Sequence, residues 1–137
     1  MKDSKYLEVS NNPVEEARRY VDNARKVLVE NGKLEMETMC YEDDKYVRAA
    51  GNYLWYSVLI MLDAVFNVKT SDRPHPDIKD YKEAVRHRDK KLLTLVNAAY
   101  ATAHITMGYD GNPSKETCNE GFRLANSIID RCASMLS

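Results

Sequence analysis

The most chemically suggestive residue is Asp63, set in the apolar run VLIMLDAVF. An unpaired carboxylate buried among such neighbours is costly or is forced to take up a proton. At about 100° per residue, Lys45, Asn52, Tyr56 and Asp63 fall close to one line of a helix. Asn97, Tyr100 and His104 make a second polar stripe at helical spacing. Facing each other, the two stripes form a hydrogen-bonded seam in which Asp63 orients His104 as a base or as a ligand contact. The structural alternative is a satisfied buried network that fixes helix register. The candidate polar pocket is therefore Asn52, Tyr56, Asp63, Asn97, Tyr100 and His104.

Other chemistry is sparse. His75, His87 and His104 are scattered, with no HxxxH or ExxH. Glu35, Glu37, Glu42, Asp43 and Asp44 are clustered without the spacing or glycine of a calcium loop. No metal or cofactor is expected. No Ser or Cys nucleophile has a base at local spacing, so no catalytic residue is assigned. Cys40, Cys118 and Cys132 form no CxxC and read as reduced thiols, Cys118 and Cys132 as small core residues. The run KEAVRHRDKK reads as a solvated helix face. Gly108-Tyr109-Asp110-Gly111 lacks the phosphate-loop pattern and reads as a turn.

The elements that would carry these residues are helices. Glycine and proline are few and mark borders. Asn12 caps a helix with Pro13 at its first position. Val14, Ala17, Tyr20, Val21, Ala24, Val27 and Leu28 give its apolar face, and Asn31-Gly32 its left-handed stop. A charged connection, 33–40, comes next. A second helix starts at the acids 42–44 and runs to 68, uncharged over 49–62, as a central helix. Residues 69–76 form a loop. A third helix, 77–107, is amphipathic to 91 and uncharged beyond, with a kink or break near 87–89. Asn112-Pro113 repeats the cap-plus-proline start of a helix over 113–136, with Cys118, Phe122, Ala125, Ile129, Cys132 and Leu136 inward. No useful strand alternation occurs. The expected fold is all-α, an up-and-down antiparallel four-helix bundle in a single domain, 1–137. Small residues of the third helix (Ala98, Ala99, Ala101, Ala103) meet bulky ones of the second (Tyr53, Leu54, Trp55, Tyr56, Ile60, Met61).

Composition narrows the class. The 137 residues are 44% apolar and 30% charged with a formal net charge of −1, which suits a globular domain and excludes collagen-like, disordered and disulfide-scaffold chains. The charge balance argues against general nucleic-acid binding. MKDSKYLEVSNN holds no apolar core of a signal peptide, and the uncharged run 92–109 carries Asn97, His104 and three threonines. A cytoplasmic protein without a membrane span is expected.

The segments EEARRYVDNARKVL and YEDDKYVRAAGNYLWYSVLIMLDAVF resemble the first half of HEPN-type helical domains. DKKLLTLVNAAYATAHITMGYDG with GFRLANSIID resembles a small uncharacterised bacterial family of the same build. The likeness spans roughly 14–132. It implies an up-and-down bundle, often a homodimer, acting either as a ribonuclease or as a non-catalytic partner, for example of a minimal nucleotidyltransferase. The ribonuclease pattern sets His five to seven positions after Arg. Here the nearest preceding arginines, Arg73, Arg86 and Arg88, lie 2, 1 and 16 positions before His75, His87 and His104. The first expectation is thus a non-catalytic, dimeric interaction or accessory module with a protein partner. The alternatives are a small-molecule or nucleotide-binding bundle using the Asp63/His104 seam, and a degenerate RNA-acting HEPN protein. The dimer would cover Tyr53, Trp55, Tyr56 and Leu59. The competing cover is Tyr6, Leu7 and Val9 of the N-terminal segment, or Leu34, Met36 and Met39 of the connection.

Overall fold

The computed structural model describes residues 12–70 and 73–137. Its elements run α1 (Pro13–Asn31), β1 (Leu34–Glu35), β2 (Cys40–Tyr41), α2 (Asp44–Phe66), α3 (Ile78–Arg86), α4 (Lys90–Ala99), a π-helical segment (Tyr100–Tyr109) and α5 (Lys115–Leu136). The protein is predominantly helical, as expected. Tyr6, Leu7 and Val9 lie outside the described residues.

Each helix start has a local cause. The Asn12 side chain accepts from the Glu15 amide at 3.1 Å, with Pro13 behind it. Asp43 accepts from the Lys45 amide, and Asp77 and Asp80 form a reciprocal capping box on α3. The break expected near 87–89 is present, and Asp89 restarts the helix by accepting from the Leu92 amide at 3.0 Å. α5 begins two residues later than its Asn-Pro pair suggests. Ser114 is the cap, and Asn112 instead accepts from the Ser114 amide.

α2 is the central element, packed on α1, α5 and the π segment. It is long and apolar enough to cross a membrane by length and composition, with mean hydropathy 1.3. Here Val47, Ala50, Leu54, Trp55, Val58, Met61 and Leu62 are instead buried within the protein. They meet Ala17, Val21, Ala24 and Leu28 of α1 and Cys118, Phe122, Leu124, Ala125, Ile128, Ile129 and Cys132 of α5 in one core. Burial pushes the Cys118 thiol up to about 12 and the Cys132 thiol up to about 11, so both behave as small apolar residues.

The structure corrects four local expectations. The 33–40 connection holds a small antiparallel hairpin, pairing Leu34 with Tyr41 and Glu35 with Cys40. The Glu35 carboxylate accepts from the Glu37 amide and the Thr38 hydroxyl, so this part of the acidic cluster builds a turn. The left-handed residue after α1 is Lys33, at φ 56°, and not Gly32. Gly32 is needed for space, because a Cβ there would lie 2.5 Å from the Leu28 carbonyl oxygen. Glycine also occurs inside helices: Gly51 and Gly121 are buried within α2 and α5. Ala101, Tyr56 and Leu136 face outward rather than into the core.

Candidate functional site

The last stretch of the expected third helix is π-helical. Its backbone lies so close to α2 that a Cβ on Gly51 would come within 2.5 Å of both the Ala103 carbonyl oxygen and the Gly108 amide nitrogen. A Cβ on Gly121 would come within 2.5 Å of the Met107 sulfur. Two helix-interior glycines therefore let Met107 and the wider π turns sit between α2 and α5. The Arg48 guanidinium closes the segment by donating to the carbonyls of Tyr109 and, at 3.2 Å, Asp110. Such insertions into α-helices are rare and recur at functional sites.

This seating turns Tyr100 and His104 toward Trp55 of α2. The Trp55 and Tyr100 rings meet edge to face at 5.4 Å between centroids, Trp55 and His104 at 5.6 Å, and Tyr100 and His104 at 5.2 Å. Together with Leu59, Pro76, Asp77, Ile78 and Tyr81 they line a groove of about 300 Å³ between α2, the start of α3 and the π segment. His104 also lines the groove, while its Nδ1 is shut off from solvent without a hydrogen-bond partner among the described residues. Burial holds the His104 pKa below its ordinary value, so the ring is neutral at neutral pH.

The expected Asp63–His104 seam does not form. Asp63 is exposed and accepts a hydrogen bond from the Tyr81 hydroxyl at 2.9 Å. The reason is axial distance. Asp63 lies eight residues beyond Trp55, about 12 Å along a helix, and His104 is level with Trp55. The break at 87–89 lets α3 fold across the end of α2, so Tyr81 reaches Asp63 first. Partial desolvation raises the Asp63 pKa, opposed by the Tyr81 hydrogen bond. Desolvation and the Asp63 carboxylate together raise that of Tyr81. Of the other expected residues, Asn52 and Asn97 are exposed. Tyr56 stacks on Tyr20 of α1 at 5.7 Å, away from the groove. The second-helix stripe of Lys45, Asn52, Tyr56 and Asp63 is real, but it is a solvent-facing stripe. Only Tyr100 and His104 of the six line the groove, with Asp63 attached through Tyr81.

The sequence reading missed Tyr81 and Asp77 as site residues. Their i,i+4 spacing after Pro76 was the available signal, since it puts both on one face of α3. The basic run is mostly solvent-exposed, as expected, with Arg86 and His87 both on Glu83. Lys82 differs, because its Nζ sits 5.5 Å from the centre of the Tyr100 ring. A separate polar cluster joins α4 to α5, where Arg131 makes two hydrogen bonds of 2.7 and 2.9 Å to Asp89. Among the described residues no group of His, Cys, Asp and Glu is arranged to hold a metal ion.

The family model of a domain of unknown function, DUF5618, matches residues 12–134. A solved structure described as a protein of unknown function from Dyadobacter fermentans is similar at 34% identity and a TM-score of 0.82, over 93% of this chain and 98% of that one. No curated protein matches.

Proposed function

The chain belongs to the DUF5618 family, and from that premise we propose that it is a non-catalytic small-ligand-binding module, built as an up-and-down four-helix bundle of the HEPN-like kind. The observation that carries this reading is the groove where Trp55, Tyr100 and His104 meet the start of α3. Small-molecule sites are concave and mostly apolar, with a few convergent polar groups that fix orientation. The groove is concave, its apolar lining from Leu59, Pro76, Ile78 and the rings is matched by polar groups of Asp77, Tyr81 and His104, and its volume of about 300 Å³ suits a small ligand. The reading places the protein in a bacterial cytoplasm, in keeping with free thiols at Cys40, Cys118 and Cys132.

Trp55 is the single tryptophan, so its fluorescence reports on the groove alone. Benzyl alcohol, benzylamine and benzoate present one ring with a neutral, cationic or anionic head. Saturable quenching of Trp55 by at least one of them, lost in Tyr100→Ala, is the expected result. Absence of saturation with all three sinks the reading.

A second reading, the homodimeric accessory module, is favoured by the Tyr20–Tyr56 stack. Tyr56 is 58% exposed there, beside Tyr53. It is compatible with the first, because that face and the groove use different residues.

A further inference from the structure

We propose that the groove takes an organic ammonium ion, an alkylated amine whose cationic head lies in the groove against the packed rings of Tyr100 and His104 and the edge of Trp55, on the side of the Asp77 carboxylate. This rests on the groove being a ligand site and adds the chemical class of the ligand.

Four observations converge on a cation. First, aromatic faces attract cations through their quadrupole, and Trp and Tyr do so most strongly. The protein already uses this attraction here, since the Lys82 ammonium sits 5.5 Å from the Tyr100 ring centre. Second, the acid that lines the groove has spare capacity. Asp77 Oδ1 accepts from the Asp80 amide at 3.2 Å, and Oδ2 has no hydrogen-bond partner among the described residues. Third, the groove is ill suited to an anion. The α3 amides that would attract one are capped by Asp77 and followed by Asp80, and the described residues lining the groove include no lysine or arginine, although Lys82 adjoins it on the Tyr100 ring. Fourth, His104 does not oppose a cation, because burial keeps its ring neutral.

The remaining walls choose among cations. Leu59, Pro76 and Ile78 are apolar and offer an incoming head no side-chain hydrogen bonds. A bare ammonium would lose hydration there without replacement, whereas a methylated one presents carbon to carbon and keeps its charge.

Choline and its neutral carbon isostere, dimethylbutanol, differ in charge and share shape. Titrated against the intact chain with Trp55 fluorescence as readout, choline should saturate at a concentration about threefold or more below the isostere, the size of effect expected for a cation–π site open to solvent on one side. Asp77→Asn removes the charge and keeps an effective helix cap. It should weaken choline about threefold and leave the isostere unchanged. Lys82→Met removes the competing ammonium from Tyr100 and should strengthen choline. An anion site would respond to these two substitutions with the opposite signs. Equal binding of choline and the isostere, or choline affinity unmoved by both variants, overturns the proposal. If choline does not bind while benzyl alcohol does, the ammonium class falls and the groove stands. If no probe saturates, both fall.

Discussion

Gly51 is the residue on which the site's geometry turns. It has no side chain to keep α2 away from the π segment, and an added Cβ would come within 2.5 Å of backbone atoms on Ala103 and Gly108. Backbone atoms cannot swing aside as a flexible side chain does. Gly51→Ala should therefore destabilise the protein by about 1–3 kcal/mol or more, measured by urea denaturation, despite the better helix propensity of alanine. A neutral or stabilising result would mean that the close approach is not required. His104 carries the opposite expectation. Replacing it with phenylalanine removes a buried nitrogen without a partner and keeps a ring against Trp55 and Tyr100. His104→Phe should be neutral or stabilising by about 1 kcal/mol while weakening ligand binding. A large loss of stability would show that the ring's polarity serves the fold. The chemistry at this scale was partly legible in the sequence. Tyr100 and His104 were found by their spacing, and Asp63 by its setting. Their assembly was misjudged because helical periodicity gives direction around an axis and says little about which level of a neighbouring helix a side chain meets.

The helices themselves were legible because each is marked at its start. Asn12-Pro13, the acids at 42–44 and Asp77 announce three of them, and the capping bonds fall on or beside those residues. The break at 87–89 was legible from length and character, since a stretch of about thirty residues that turns from charged to uncharged is long for one helix, and Asp89 caps α4 there. The π segment was not legible. Its cause is tertiary, a meeting of Gly51, Gly121 and Met107 from three separate elements, and nothing in the local run YATAHITMGY asks for it. The hairpin at 34–41 was missed because two-residue strands are too short for alternation to register. Asp89 also gives the α4–α5 contact a pH dependence. The Arg131 hydrogen bonds, together with the Leu92 amide, hold its carboxyl below the usual range. A depressed folded pKa contributes stability that is present above the unfolded carboxylate value, about 3.9, and is lost as pH falls through the folded value. The melting temperature should thus fall as pH drops below about 4, and Arg131→Met should lower it at neutral pH and flatten that acid limb. An acid limb of unchanged slope in the variant would remove Asp89 from the account.

On the scale of the whole molecule, α2 explains both why the chain folds around one core and where it keeps contact with solvent. The sequence suggested more apolar surface on this helix than one bundle covers. The packing accounts for most of it: Trp55 is 7% exposed, covered by Tyr100 and His104, and Tyr53 and Leu59 are half-buried. What remains is Tyr56 on Tyr20, which is a smaller patch than expected. The dimeric reading now rests on that stack, and Tyr56→Glu is its direct test. Light scattering should give a mass near twice 15.7 kDa for the wild type and near 15.7 kDa for the variant. A wild-type mass of 15.7 kDa at micromolar concentration rejects the dimer and leaves the groove untouched.

Amide NMR reads ligand binding in the groove residue by residue. In a ¹H–¹⁵N spectrum titrated with benzylamine, benzyl alcohol and benzoate, the Trp55 indole N–H and the amides of Ile78, Tyr81, Tyr100 and His104 should move together along one saturating curve. The amides of Ala24, Ile128 and the rest of the α1–α5 side should stay in place. Shifts that are absent, or that grow linearly and scatter over the whole surface, would contradict a ligand site in the groove.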